Sequence, residues 1–84
     1  LSALPGLNTI ELTWDPNAER DLGFYRVYRS TAGGPFERLE EKVPTPAYSD
    51  RKVTAGKQYR YRVSSVDRLG NESEQSAPVE STAP

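Results

Sequence analysis

Ten residues, Lys57-Gln58-Tyr59-Arg60-Tyr61-Arg62-Val63-Ser64-Ser65-Val66, constrain the fold more tightly than any other stretch of this chain. Tyr59, Tyr61 and Val63 recur at every second position, with Arg60 and Arg62 between them. In an extended strand successive side chains point to opposite faces, and aromatic and β-branched residues suit the buried one. Rings on one side and guanidinium groups on the other predict a strand near the middle of an antiparallel sheet that is half-buried.

The rest of the chain repeats that pattern in shorter pieces. Leu1 to Leu4 reads as a short strand stopped by Pro5-Gly6. Ile10, Leu12 and Trp14 alternate with Glu11 and Thr13 until Asp15-Pro16-Asn17 breaks the run with turn chemistry. Leu22 is apolar enough to plug one end of a core. In Phe24 to Ser30, Tyr25 and Val27 share one face and Arg26 and Tyr28 the other. Ala32-Gly33-Gly34-Pro35 is a turn, so Phe36 to Leu39 is expected as a short edge strand, with a bulge reconciling two apolar residues three apart. Glu40-Glu41-Lys42 reads as a solvated charge run, and Pro44 and Pro46 exclude a regular ladder there. Ala47 to Lys52 is a further strand with Tyr48 inward. Asp67-Arg68-Leu69-Gly70-Asn71 is a loop in which Gly70 and Asn71 can take positive φ, and Ser76 to Thr82 closes the chain with Val79 inward. No window of 11 residues carries a helical period. About seven short strands between turns predict an all-β, immunoglobulin-like sandwich.

At 84 residues the chain holds one domain, 1–84. It opens at Leu1 and contains no Met, which predicts a module of a longer polypeptide. Its 11 basic and 12 acidic side chains leave a formal charge of −1, so neither nucleic acid nor an anionic membrane is an expected partner. No apolar run is long enough to predict membrane insertion. Without His or Cys, the Ser–His–Asp and Cys–His nucleophilic arrangements are impossible. Paired carboxylates could still serve as acid and base, but the acids fall in turns (Asp15, Asp21, Asp50, Asp67) or on outward faces (Glu11, Glu80). No catalytic residue and no cofactor is therefore predicted. Asp67, Asn71 and Glu72 could gather Ca²⁺, although Asp and Asn at such positions serve first as turn formers, and no metal site is predicted. Asn71-Glu72-Ser73 is also a glycosylation sequon.

The whole chain resembles a fibronectin type III domain. The resemblance is carried by Ile10-x-Leu12-x-Trp14, Tyr25-Arg26-Val27-Tyr28-Arg29-Ser30 and Tyr48-x-Asp50. It continues through Val53-x-x-Gly56-x-x-Tyr59-x-Tyr61-x-Val63 and Asp67-x-x-Gly70-Asn71-Glu72-Ser73, in order and at family spacing. It implies two sheets, A-B-E and C′-C-F-G, with B over 9–14, C over 24–30 and F over 57–66. It makes Trp14 the core tryptophan pressed between the sheets. Tyr59 becomes the tyrosine-corner residue, its hydroxyl returning to backbone near Val53. Tyr25, Val27, Tyr61 and Val63 are the accompanying structural positions. The chain departs from the family in a late-starting strand A, in Ala55 where proline is frequent, and in an F–G loop without Arg-Gly-Asp. The Gly-Asn-Glu-Ser form of that loop looks most like modules strung along bacterial secreted or surface enzymes.

One outer face stands out. With the rings inward, Arg26, Tyr28, Arg60 and Arg62 lie together, and arginines beside an exposed aromatic can bind carbohydrate, an acidic peptide or a neighbouring module. The bland alternative is a solvated sheet face whose arginine stems cover Tyr28 and pair with Glu80 or Glu37. The resulting expectation is a monomeric, non-catalytic module of an extracellular or cell-surface protein that spaces or presents neighbouring domains. The alternative is a carbohydrate- or protein-binding module using the Arg26/Tyr28/Arg60/Arg62 face or the B–C (15–22) and F–G (68–73) loops.

Overall fold

The computed structural model describes residues 1–16 and 22–84. Asp21 and most of the B–C loop lie outside the described residues. Among those described, seven strands form: β1 (Ser2–Pro5), β2 (Ile10–Thr13), β3 (Leu22–Thr31), β4 (Glu37–Val43), β5 (Ala47–Asp50), β6 (Gln58–Asp67) and β7 (Val79–Thr82). They pair antiparallel into a three-stranded sheet, β1-β2-β5, and a four-stranded sheet, β4-β3-β6-β7. This is the expected sandwich, with both sheets composed as the resemblance implied.

Strands β3 and β6, ten residues each, pair along their length from Leu22↔Asp67 to Thr31↔Tyr59. Their inward residues Tyr25, Val27, Tyr59, Tyr61 and Val63 are all buried, as the alternation predicted. They meet Ile10 and Leu12 from β2, with Val43 and Ala83 closing the cluster. Such burial, at roughly 1.5–3 kcal/mol per large side chain, is the main force holding the sheets together. Tyr48, Val53 and Val79 pack against the cluster half-buried.

Three elements differ from expectation. Trp14 lies beyond the end of β2 and packs against the core cluster, but it is half-buried instead of fully buried. Its ring meets Tyr25 edge-on at 5.3 Å and 76°. The charge run Glu40-Glu41-Lys42 is solvent-exposed but belongs to β4, which continues to the buried Val43. An edge strand needs only one inward anchor, so charge on its free side does not end it. The expected bulge is real: register shifts flank Val27 in the β3–β4 pairing. The last strand begins at Val79, not Ser76, because serine side chains replace the ladder over the preceding residues, as described below.

The two ends of the described chain sit toward opposite ends of β6. Leu1 lies beside Trp14 and Ser65, where β6 finishes, whereas the amides of Gly56 and Ala83 donate to the carbonyls of Ala83 and Lys57, where β6 begins. The molecule's longest extent is 39 Å. No helix among the described residues is long and apolar enough to cross a membrane.

Candidate functional site

Strand register brings the predicted outer-face residues together. Tyr28 stands opposite Arg62, Arg26 opposite Ser64, and Ser30 opposite Arg60. What they do there differs from expectation. The F–G loop folds back so that Glu72 bridges to Val66, which directs its side chain onto the same face. Arg26 Nη1 donates to Glu72 Oε1 at 2.8 Å, and the Tyr28 and Ser64 hydroxyls both donate to Glu72 Oε2. Arg26 also lies 3.9 Å from Glu41. Its partners, and Tyr28's, are thus neither Glu80 nor Glu37. Arg62 places its guanidinium over the Phe36 ring at 4.8 Å, a cation–π contact. Arg60 is exposed and opposite Glu80. Partial burial would raise the Glu72 carboxyl, but hydrogen bonds from Ser64, Tyr28 and Arg26 outweigh it and hold the group below its ordinary value. The face is therefore a clasp of Arg26, Tyr28 and Ser64 on Glu72, with Arg62 on Phe36 and Arg60 outside it, and it leaves Arg26 Nε and Arg62 Nε buried without a hydrogen-bond partner among the described residues.

A second constellation was hidden in the sequence. Asp50, read there as a turn acid, is the last residue of β5 and is fully buried. It accepts the Tyr61 hydroxyl at 2.6 Å, Arg29 Nη1 at 3.0 and 3.2 Å, and the Lys52 amide at 3.0 Å. The Arg29 guanidinium covers the Tyr59 ring at 5.1 Å. Burial first, then the hydrogen bond to Asp50, pushes the Tyr61 hydroxyl far above the ordinary tyrosine range. With its lone pairs so occupied, Asp50 ties the three-stranded sheet to the four-stranded one. Nearby, the Thr54 amide donates to the Tyr59 hydroxyl oxygen at 2.8 Å, with Gly56 at φ +83° making the turn. This is the expected corner, except that the phenol oxygen accepts from an N–H.

In the loop after β6, Asp67 Oδ1 accepts the amides of Leu69 and Asn71 at 2.9 and 2.8 Å, and Oδ2 accepts Asn71 Nδ2 at 3.1 Å. Bonds from Asn71, backbone and then side chain, lower the Asp67 carboxyl. Gly70 takes positive φ (+90°), whereas Asn71 does not. Asp67 faces its own loop and Glu72 faces Arg26, so the three oxygen ligands considered for Ca²⁺ do not converge. On the other side of β6 a cleft of about 290 Å³ opens between Trp14, Asp15, Tyr25, Glu74, Ser76 and Leu1.

No family model matches the chain. A crystal structure of a Fn3-like (fibronectin type III-like) protein from Clostridium thermocellum superposes with a TM-score of 0.81, over 99% of this chain and 86% of that one, at 35% identity. This chain belongs to the fibronectin type III-like family. In that family's terms β1, β2 and β5 are strands A, B and E, and β4, β3, β6 and β7 are C′, C, F and G. Two further relatives are large enzymes. The chain aligns with a β-1,2-glucanase from Parabacteroides distasonis at TM-score 0.84 and 31% identity, covering 99% of this chain and 12% of that structure. It is 38% identical over 81 residues to an amylopullulanase of Thermoanaerobacter thermohydrosulfuricus, covering 95% of this chain and 5% of that protein. The fibronectin type III-like fold thus corresponds to a small part of each enzyme.

Proposed function

We propose that this fibronectin type III-like domain is a non-catalytic spacer or presenting unit within a larger bacterial carbohydrate-degrading enzyme at or outside the cell surface. The observation that carries the proposal is the placement of its ends toward opposite ends of β6, which fixes the separation of whatever is joined to them. The size of the enzymes in which its relatives are embedded supports the same role. Occupied acids support the non-catalytic part: Asp50, Asp67 and Glu72 are each held by structural hydrogen bonds. The Arg26/Tyr28 face is disfavoured as a ligand site, since two of its four groups already serve Glu72.

Replacing the domain inside its parent enzyme tests the proposal. An unrelated sandwich of the same end-to-end length should preserve turnover of polymeric substrate, and a flexible linker should reduce it. Equal loss with both replacements would mean that the domain contributes specific contacts and would overturn the spacer role.

A further inference from the structure

The cleft beside Trp14 is pre-formed by bonds along β6 and beyond the end of β2. One wall is the segment 73–76, which runs along β6 without forming a ladder. The Ser73 and Ser76 amides donate to the carbonyls of Ser65 and Val63, each at 2.8 Å. In return the Ser65 and Val63 amides donate to the side-chain oxygens of Ser73 and Ser76 at 2.9 and 3.0 Å. Hydroxyls thus take the place of backbone carbonyls, and Glu74 is held between two anchored serines. The other wall is Trp14, fixed by its amide donating to the Pro46 carbonyl at 3.1 Å and by its edge-on contact with Tyr25. At about 290 Å³ the space lies at the small end of ligand pockets and suits one sugar-sized ring.

The chemistry of the lining selects among ligands. The Asp15 and Glu74 carboxylates have no ion-pair partner among the described residues, in contrast to Asp50 and Glu72. Among the described residues no basic side chain lines the cleft, and its two carboxylates disfavour an anionic ligand. The Ser76 hydroxyl accepts from the Val63 amide and still has a proton to give. A ligand that complements these groups donates to two carboxylates, accepts from a hydroxyl and lays an apolar surface on an aromatic wall. An ammonium ion can do the first but carries no acceptor, and ion pairs with exposed carboxylates contribute little. We infer that this cleft binds a neutral polyol, a single pyranose ring of a saccharide, through Asp15, Glu74 and Ser76 against Trp14. The inference is independent of the spacer role, so either can fail alone.

Trp14 is the only tryptophan, which makes its fluorescence a local reporter. Glucose, maltotriose and cellotriose are each titrated to about 100 mM while Trp14 emission and the amide resonances of residues 73–76 are followed. A saturable change with at least one of them, at half-saturation of about 1–10 mM, is expected. Asp15→Ala with Glu74→Ala should weaken it at least about tenfold with melting temperature and circular dichroism unchanged, whereas Arg60→Ala, at an exposed position outside the Glu72 clasp, should leave it intact. Absence of a saturable change with all three sugars, affinity unaltered in the Asp15/Glu74 variant, or saturation by propylammonium instead of sugar would each overturn the inference.

Discussion

Single side chains carry unequal weight here because their partners differ in exposure. Tyr59→Phe removes the acceptor of the Thr54 amide and is expected to cost about 1–3 kcal/mol. Tyr28→Phe should cost well under half as much, since Glu72 keeps Arg26 and Ser64 as donors. Chemical denaturation of both variants checks this, and equal losses would contradict the corner. Asp50→Ala should be more damaging, by about 3–5 kcal/mol, because it strands the Tyr61 hydroxyl and Arg29 together. Its coupling to Arg29 can be measured by a double-mutant cycle, where additive losses would deny the ion pair a role. Trp14→Ala, at a half-buried position, is expected to cost about 2–4 kcal/mol, toward the lower part of the range for buried aromatics.

At the scale of elements, the Glu72 clasp makes the F–G loop sensitive to acid. A carboxyl whose folded pKa is depressed contributes stability that is fully present above its unfolded value, near 4.5, and is lost as pH falls through the lower folded value. Amide hydrogen exchange of residues 71–76 should therefore accelerate as pH drops below about 4.5, relative to β3, and Glu72→Gln should remove that pH dependence. Exchange that follows the same profile in Glu72→Gln would show that another group holds the loop. The strands themselves were legible in the sequence, because period-two alternation in 25–28 and 59–63 is a direct image of one buried face. The outer-face grouping of Arg26, Tyr28, Arg60 and Arg62 followed from the same parity. Their partner was not legible. Glu72 reaches them only through a Val66↔Glu72 bridge across a loop, and alternation is silent about a residue outside a strand. Asp50 was misread for a related reason: local turn chemistry predicts aspartate at strand ends, and its burial depends on Arg29 and Tyr61, 21 and 11 positions away in sequence.

As a whole the molecule, in the proposed spacer role, is a rigid body whose ends are set apart along β6. Leu1 lies beside Ser65 and Ala83 beside Lys57, and eight residue steps along β6 at about 3.3 Å each give a separation of about 25 Å. The chain contains no cysteine, so Ser2→Cys and Pro84→Cys introduce two unique attachment points at exposed positions. The distance between spin labels there should be measured by double electron–electron resonance, first in the 84-residue chain and then within the larger enzyme. A single narrow distribution near about 25–30 Å, the same in both settings, is the predicted result. A broad distribution, or one whose centre differs between the two settings, would contradict the spacer.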